Sequence, residues 1–174
     1  NLQGKLVNPQ RVQTIMSLLT TTSTSYPLLA SLDTARRQLA LRGQELADRT
    51  VALANTAREA VNRIQGLSSF GEELLGEEAI FDFDPTKLTV HVRKLGITGY
   101  DAENWLREHF NLEVEMSDMY NILCLITPGD DESSIAILLQ ALQALSDAYI
   151  GQANSIQEVV VEIPDIPHLS LTPR

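Results

Sequence analysis

Apolar and polar positions along the chain change their spacing part-way, and the change divides it. In Pro9–Leu19 (PQRVQTIMSLL), Val12, Ile15, Met16 and Leu19 recur at i, i+3, i+4 and i+7, which predicts a short helix. Asn8 is placed to cap it, and Pro9 suits its first turn. From Pro27 a longer helical pattern runs through Leu28, Leu32, Ala35, Leu39, Leu46, Leu53, Ala57 and Ile64, with Arg36, Arg37, Arg42, Asp48, Arg49, Arg58 and Glu59 over much of the rest. Gly43 interrupts it at roughly 1 kcal/mol relative to alanine, so a kink or a break between two helices is expected there.

After a loop at 66–78 rich in glycine, serine and glutamate, the period falls to two. Lys87–Arg93 (KLTVHVR) alternates Leu88, Val90 and Val92 with Thr89, His91 and Arg93, as a half-buried strand does. Thr98-Gly99-Tyr100-Asp101 fits a capping box ahead of a helix carrying Ala102, Trp105, Leu106, His109 and Phe110 on one face. Leu112–Met116 alternates again, setting Glu113 and Glu115 against Leu112, Val114 and Met116. Tyr120–Thr127 is nearly all apolar, as a central strand is. Asp130-Asp131-Glu132 crowd the next helix start, where the dipole favours negative charge, and Ile135, Leu138, Leu139, Leu142 and Leu145 form that helix's core face. Val159–Ile163 reads as a further strand.

The expected class is therefore α/β, with a long helical first part at 1–78 and a compact α+β domain at 79–163. That domain has a βαββα two-layer layout like a split βαβ unit, with helices on one face of a mixed or antiparallel sheet. Residues 164–174 read as a proline-rich linker, expected to lead to a C-terminal domain.

Composition narrows the function classes. The net charge of −10, with no basic block, argues against a nucleic-acid partner. No apolar run reaches the roughly 20 residues of a membrane span, and no signal peptide precedes the first helix pattern, so the expected compartment is cytoplasmic. Cys124, alone in an apolar run, reads as a small hydrophobe rather than a nucleophile. His91, His109 and His168 lack partners at metal-ligand spacing, so no metal site is expected.

The chemistry-bearing stretch is Thr20-Thr21-Thr22-Ser23-Thr24-Ser25-Tyr26, seven hydroxyls in a row at the bend before the long helix. Two readings fit. The run caps the helix, with Ser25 or Tyr26 at the start and the rest solvated. Alternatively, hydroxyls and free amides at a helix N-terminus cradle an anion such as phosphate. Glu113 and Glu115 could form an acid pair, though solvated strand carboxylates are commoner.

Four stretches, in order along the whole chain, resemble the Orn/Lys/Arg decarboxylases, pyridoxal-phosphate enzymes of the aspartate-aminotransferase-like fold. LLTTTSTSYPLLASLDTAR is similar to the family's T-S-P-S-Y run followed by LLASLD, although Thr24 stands where proline is usual and Pro27 is an unusual follower. FDPTKLTVHVRKLGITGYDAENWLRE resembles its D-P-x-K-L strand and G-x-x-G-Y helix start. FNLEVEMSDMYNILCLITPGDD resembles its I-x-x-E segment and a strand ending in G-D, and LSLTPR its L-T-P-R segment. The family's Schiff-base lysine lies in an S-x-H-K stretch, and none of Lys5, Lys87 and Lys94 has that context.

The resemblance implies the end of a cofactor domain, a connecting helix and the small domain of a larger enzyme, inactive alone. It implies pyridoxal 5'-phosphate as cofactor, lysine, arginine or ornithine as substrate, and a homodimer or higher oligomer. It tips the hydroxyl run towards a phosphate cradle, with Thr22 and Ser23 reaching the cofactor across a subunit interface. Glu113, Glu115 and Asp118 are then the carboxylates expected to attract a basic substrate. A rival reading is a non-enzymatic module that dimerises through Leu28, Leu32 and Leu39, and a third is an aminotransferase of the same fold.

Overall fold

The computed structural model describes residues 7–20, 23, 25–78 and 80–152. Helix α1 covers Pro9–Leu19, and Asn8 Oδ1 caps it by accepting the amides of Gln10 at 3.0 Å and Arg11 at 3.3 Å. Helix α2 then runs unbroken over 36 residues, Tyr26–Val61. The expected break at Gly43 does not occur. Ala40, Leu41, Gln44 and Glu45 are strong helix formers, and Arg42 pairs with Glu45 across the glycine at 2.6 Å, so the local cost of one glycine is offset.

Two compact units meet inside α2: Asn1–Leu46 and Ala47–Arg174. The sequence reading sets its boundary later, at 78/79, because the helical stripe keeps the same spacing on both sides of Leu46. In the first unit Leu46 is the one buried residue among those described, and Leu28, Leu32 and Leu39 stand exposed. In the second, the end of α2 supplies Leu53, Ala54, Ala57 and Val61 to a single core shared with the sheet and the later helices.

Strand β1 is Lys87–His91, β2 Met116–Ser117 and β3 Asn121–Leu125, in the order β1–β3–β2, with both pairings antiparallel. Leu88 lies opposite Cys124 and Val90 opposite Ile122, which puts these four buried side chains on one face. Full burial of a leucine such as Leu88 stabilises by roughly 2 kcal/mol. β1 stops short of the expected Arg93 because Val92 leaves the extended region and Arg93–Leu95 make a single 3-10 turn, closed by Gly96 at φ 76°.

Helix α3, Gly99–Phe110, opens on the anticipated capping box: Thr98 Oγ1 accepts the Asp101 amide, and Asp101 accepts the Thr98 amide. It ends at Asn111 in the left-handed region, φ 51°. The strand expected over Leu112–Met116 is corrected to Met116–Ser117. Leu112 and Val114 do turn towards the core, but the Leu112 amide bonds back to the Leu106 carbonyl at 3.3 Å rather than to a neighbouring strand. Alternation reported burial there, not pairing.

Helix α4, Glu132–Tyr149, is capped by Asp131, whose carboxylate accepts the amides of Ser133 at 2.9 Å and Ser134 at 3.0 Å. Ile135, Leu138, Leu142 and Leu145 bury as expected, with Leu139 at the margin. The run Val159–Ile163 lies outside the described residues.

Candidate functional site

Two places carry the residues anticipated from sequence. The first is the hydroxyl run between α1 and α2. Thr22 lies outside the described residues, and Ser23 is exposed. Ser25 occupies the position before the first helical residue, and its carbonyl accepts the Leu29 amide at 3.0 Å, closing the first turn of α2. Hydroxyl-bearing residues thus lead directly into the N-terminus of a long helix. That end carries a partial positive charge and unpaired amides, so the donor set suits a phosphate.

The second place is the segment from Glu113 to Asn121, held between α3 and the sheet. Glu113 is committed to Arg107, whose Nε donates to both its carboxylate oxygens at 2.8 and 3.0 Å. That pairing holds the Glu113 carboxyl below the usual range. Arg107 also donates through Nη2 to Glu103 at 2.6 Å and through Nη1 to Asn104 at 3.1 Å. Glu103 in turn accepts from the Ser117 hydroxyl, and this bond, then Arg107, lowers its pKa.

Asp118 is a turn-maker. Its Oδ1 accepts the amides of Tyr120 at 2.7 Å and Asn121 at 2.8 Å, and the Asn121 side-chain amide donates to both oxygens at 3.1 Å. Burial pushes this carboxyl up, but those donors together hold it below its ordinary value. Glu115 differs from both. All three are exposed, but among the described residues the Glu115 carboxylate makes no ion pair or side-chain hydrogen bond, while its backbone amide donates to the Leu123 carbonyl at 2.8 Å. Glu113 and Glu115 do not form an acid pair on a strand, since neither lies in one and Glu113 is neutralised by Arg107.

His91 and His109 take structural places, and His168 lies outside the described residues. His91 Nδ1 sits 3.0 Å from Asn121 Oδ1. Because the Asn121 amide nitrogen faces the Asp118 carboxylate, its oxygen must face His91, which puts the imidazole proton on Nδ1. His109 stacks on Trp105 with ring centroids 4.4 Å apart, at the surface rather than in the core. Cys124 is buried, and burial pushes its thiol up to about 12, which makes it inert at neutral pH. Among the described residues no group of three or more His, Cys, Asp or Glu could hold a metal, and no helix is long and apolar enough to cross a membrane.

Sequence reasoning missed Arg107 and Arg58. For Arg107 the signal was present: Glu103 and Arg107 stand four apart on a helix, in the favourable order. For Arg58 it was absent, because two of its three partners are backbone carbonyls of a loop distant in sequence. Arg58 is buried and donates to the Phe70 carbonyl at 2.8 Å, Asn55 Oδ1 at 2.9 Å and the Pro85 carbonyl at 2.8 Å. It pins the 66–85 connection to α2 and floors an open cleft of about 310 Å³ edged by Glu72, Glu73 and Phe83. Burial lowers its pKa, with the charges of Glu73 and Glu72 opposing.

Comparison with known proteins accounts for the whole chain. The family model described as Orn/Lys/Arg decarboxylase, major domain, matches residues 1–134. All 174 residues align at 54% identity with an arginine decarboxylase of Bacillus cereus, covering 38% of that protein. They align at 50% with an arginine decarboxylase of Bacillus subtilis, covering 36% of it. The chain thus spans little more than a third of the length of these relatives. Among solved structures, the constitutive lysine decarboxylase of E. coli superposes with a TM-score of 0.60 over 84% of this chain and 25% of that one, at 24% identity, a likeness of fold. On the family match and the identity across its full length, the chain belongs to the Orn/Lys/Arg decarboxylase family.

Proposed function

We propose that this chain is part of a pyridoxal-phosphate-dependent decarboxylase that converts a basic amino acid, arginine first among the three candidates, to its amine and CO₂. The observation that carries the reading is identity of 50–54% over all 174 residues with proteins named arginine decarboxylase. When bound, the cofactor supplies the electron sink for the pair left on Cα as CO₂ departs. The chain's own contribution is binding and orientation. Thr22 and Ser23 offer hydroxyl donors to the cofactor phosphate beside the N-terminus of α2, in a homodimer across the subunit interface. Glu115 attracts the positive end of the substrate, while Glu113 and Asp118, engaged with Arg107 and with the 118–121 turn, set the field around it.

The test is CO₂ release from L-arginine by the full-length protein loaded with cofactor. One equivalent of amine per CO₂ is expected. Formation of a keto acid in place of the amine would put the protein with the aminotransferases of the same fold. In the same preparation, the double substitution T22A/S23A should weaken cofactor affinity about tenfold, the loss of one or two charge-assisted hydrogen bonds. Unchanged affinity would remove the phosphate assignment.

The exposed leucines of α2, Leu28 and Leu32 at 66% and Leu39 at 59%, favour a second reading in which this arm chiefly mediates association. Replacing all three with serine distinguishes the two. Dissociation without loss of cofactor affinity would support an association arm separate from the phosphate cradle.

A further inference from the structure

We propose that Arg107 is a positioning residue for substrate selection: it fixes the segment that carries Glu115, so that this carboxylate meets the basic end of the substrate in one place. The inference rests on the reading of Glu115 given above. Its ground is how the segment is held. Between the end of α3 and the two-residue strand β2, the chain has little ladder of its own. The Leu112 amide returns to Leu106 at 3.3 Å, and the Glu115 amide reaches Leu123 at 2.8 Å.

Side chains supply the remaining anchors, and they bracket Glu115 two residues away on either side. Glu113 receives the bifurcated Nε contact of Arg107. Ser117 donates to Glu103, whose other oxygen is held by Arg107 Nη2 at 2.6 Å. Arg107 therefore ties the Glu113 flank to α3 directly and holds in place Glu103, the α3 carboxylate that receives the Ser117 flank. A planar fork with several donors in fixed directions can do this, and an ammonium cannot.

An exposed helix ion pair ordinarily contributes little to stability. Here the Glu113 contact is not internal to the helix, and Arg107 is 41% exposed, so its removal acts on geometry more than on folding. It also acts on charge. Arg107 pairs with Glu113, two residues before Glu115, and with Glu103 on α3, so one positive charge is shared between those two carboxylates. Glu115 is left as the one whose charge is available to a cationic ligand.

The experiment is steady-state kinetics with L-arginine on the full-length, cofactor-loaded enzyme, comparing E115Q, R107A, R107K and the double variant R107A/E115Q. E115Q should raise KM about tenfold with kcat nearly unchanged, as loss of one charge contact to the substrate does. R107A should raise KM about fivefold with kcat again held, R107K should fall between, and the double variant should be no worse than E115Q alone, the coupling expected of neighbours acting through one contact. If E115Q raises KM and R107A leaves it unchanged, the positioning role is wrong while the substrate reading stands. Effects that multiply in the double variant overturn it in the same way. If E115Q leaves KM unchanged, the reading on which it rests fails as well. Should R107A lose its fold, the KM of R107K decides: a value equal to that of the parent enzyme overturns the proposal.

Discussion

A methyl group added at Gly99 would have nowhere to go. A Cβ built there lies 2.1 Å from the Asn121 carbonyl oxygen, 2.4 Å from that of Asp118 and 2.8 Å from the Asn121 carbonyl carbon. All three are backbone atoms, and carbon–oxygen contacts settle near 3.3 Å or more, so α3 and the 118–121 turn would have to part by about 1 Å. Overpacking of this kind costs about 1–3 kcal/mol. Retreat of the helix start also loosens the Thr98–Asp101 capping box, about 1 kcal/mol more. Alanine's helix preference returns about 1 kcal/mol. The net expectation for Gly99→Ala is a destabilisation of about 1–3 kcal/mol, or a fall of roughly 0.5–1.5 M in the urea midpoint at the slope usual for a small domain. The assay is urea unfolding followed by tryptophan fluorescence, since Trp105 reports from α3 itself. Gly43→Ala is the control: its nearest neighbour would be Leu39 Cβ at 3.9 Å, and slower amide exchange in α2 is expected. A Gly99→Ala chain as stable as the parent would refute the account of this turn.

Arg58→Met should cost about 1–3 kcal/mol, because the carbonyls of Phe70 and Pro85 lose the donor of two part-buried hydrogen bonds, and limited proteolysis should then cut the 66–85 connection first. Arg58→Lys should recover little, since an ammonium cannot span three acceptors set in different directions. Cys124 should resist alkylation in the folded chain at pH 8, where burial keeps the thiol protonated and out of reach, and react fully in urea; native labelling would contradict its burial. Asp131, whose pKa is lowered first by the Ser133 hydroxyl and then by the Ser134 amide, ionises more readily folded than unfolded. Its contribution is therefore present above the ordinary carboxylate range and lost as pH falls through the folded value. Asp131→Asn keeps a capping oxygen but cannot titrate, so it should flatten the stability-versus-pH curve below about pH 4 and change little at pH 7.

Helix starts were legible in the sequence because each is written in a few adjacent residues: Asn8-Pro9, Thr98 with Asp101, and the acidic run Asp130-Asp131-Glu132. Burial was legible too, since Leu88, Val90, Ile122 and Leu142 fall where their periods place them. Pairing was not. Leu112–Met116 alternates like a strand, yet its partner depends on where Asn111 turns the chain, a left-handed residue that no periodicity announces. The unit boundary inside α2 was hidden for a similar reason, because an apolar stripe does not say what will cover it. At the candidate site the residue types were readable and their engagements were not. Glu113, Glu115 and Asp118 look alike in sequence. Arg107, two amides and a turn separate them into an ion-paired carboxylate, one with no side-chain partner among the described residues and a structural one.

The measurement that tests the central claim most directly is an internal competition. The full-length protein, loaded with pyridoxal phosphate, would be given equal amounts of L-arginine, L-lysine and L-ornithine, and the amines formed would be counted together by mass spectrometry with the CO₂ released. The account predicts amine and CO₂ in equal amounts, with agmatine, the amine of arginine, in large excess over the other two. No amine from any of the three would contradict it.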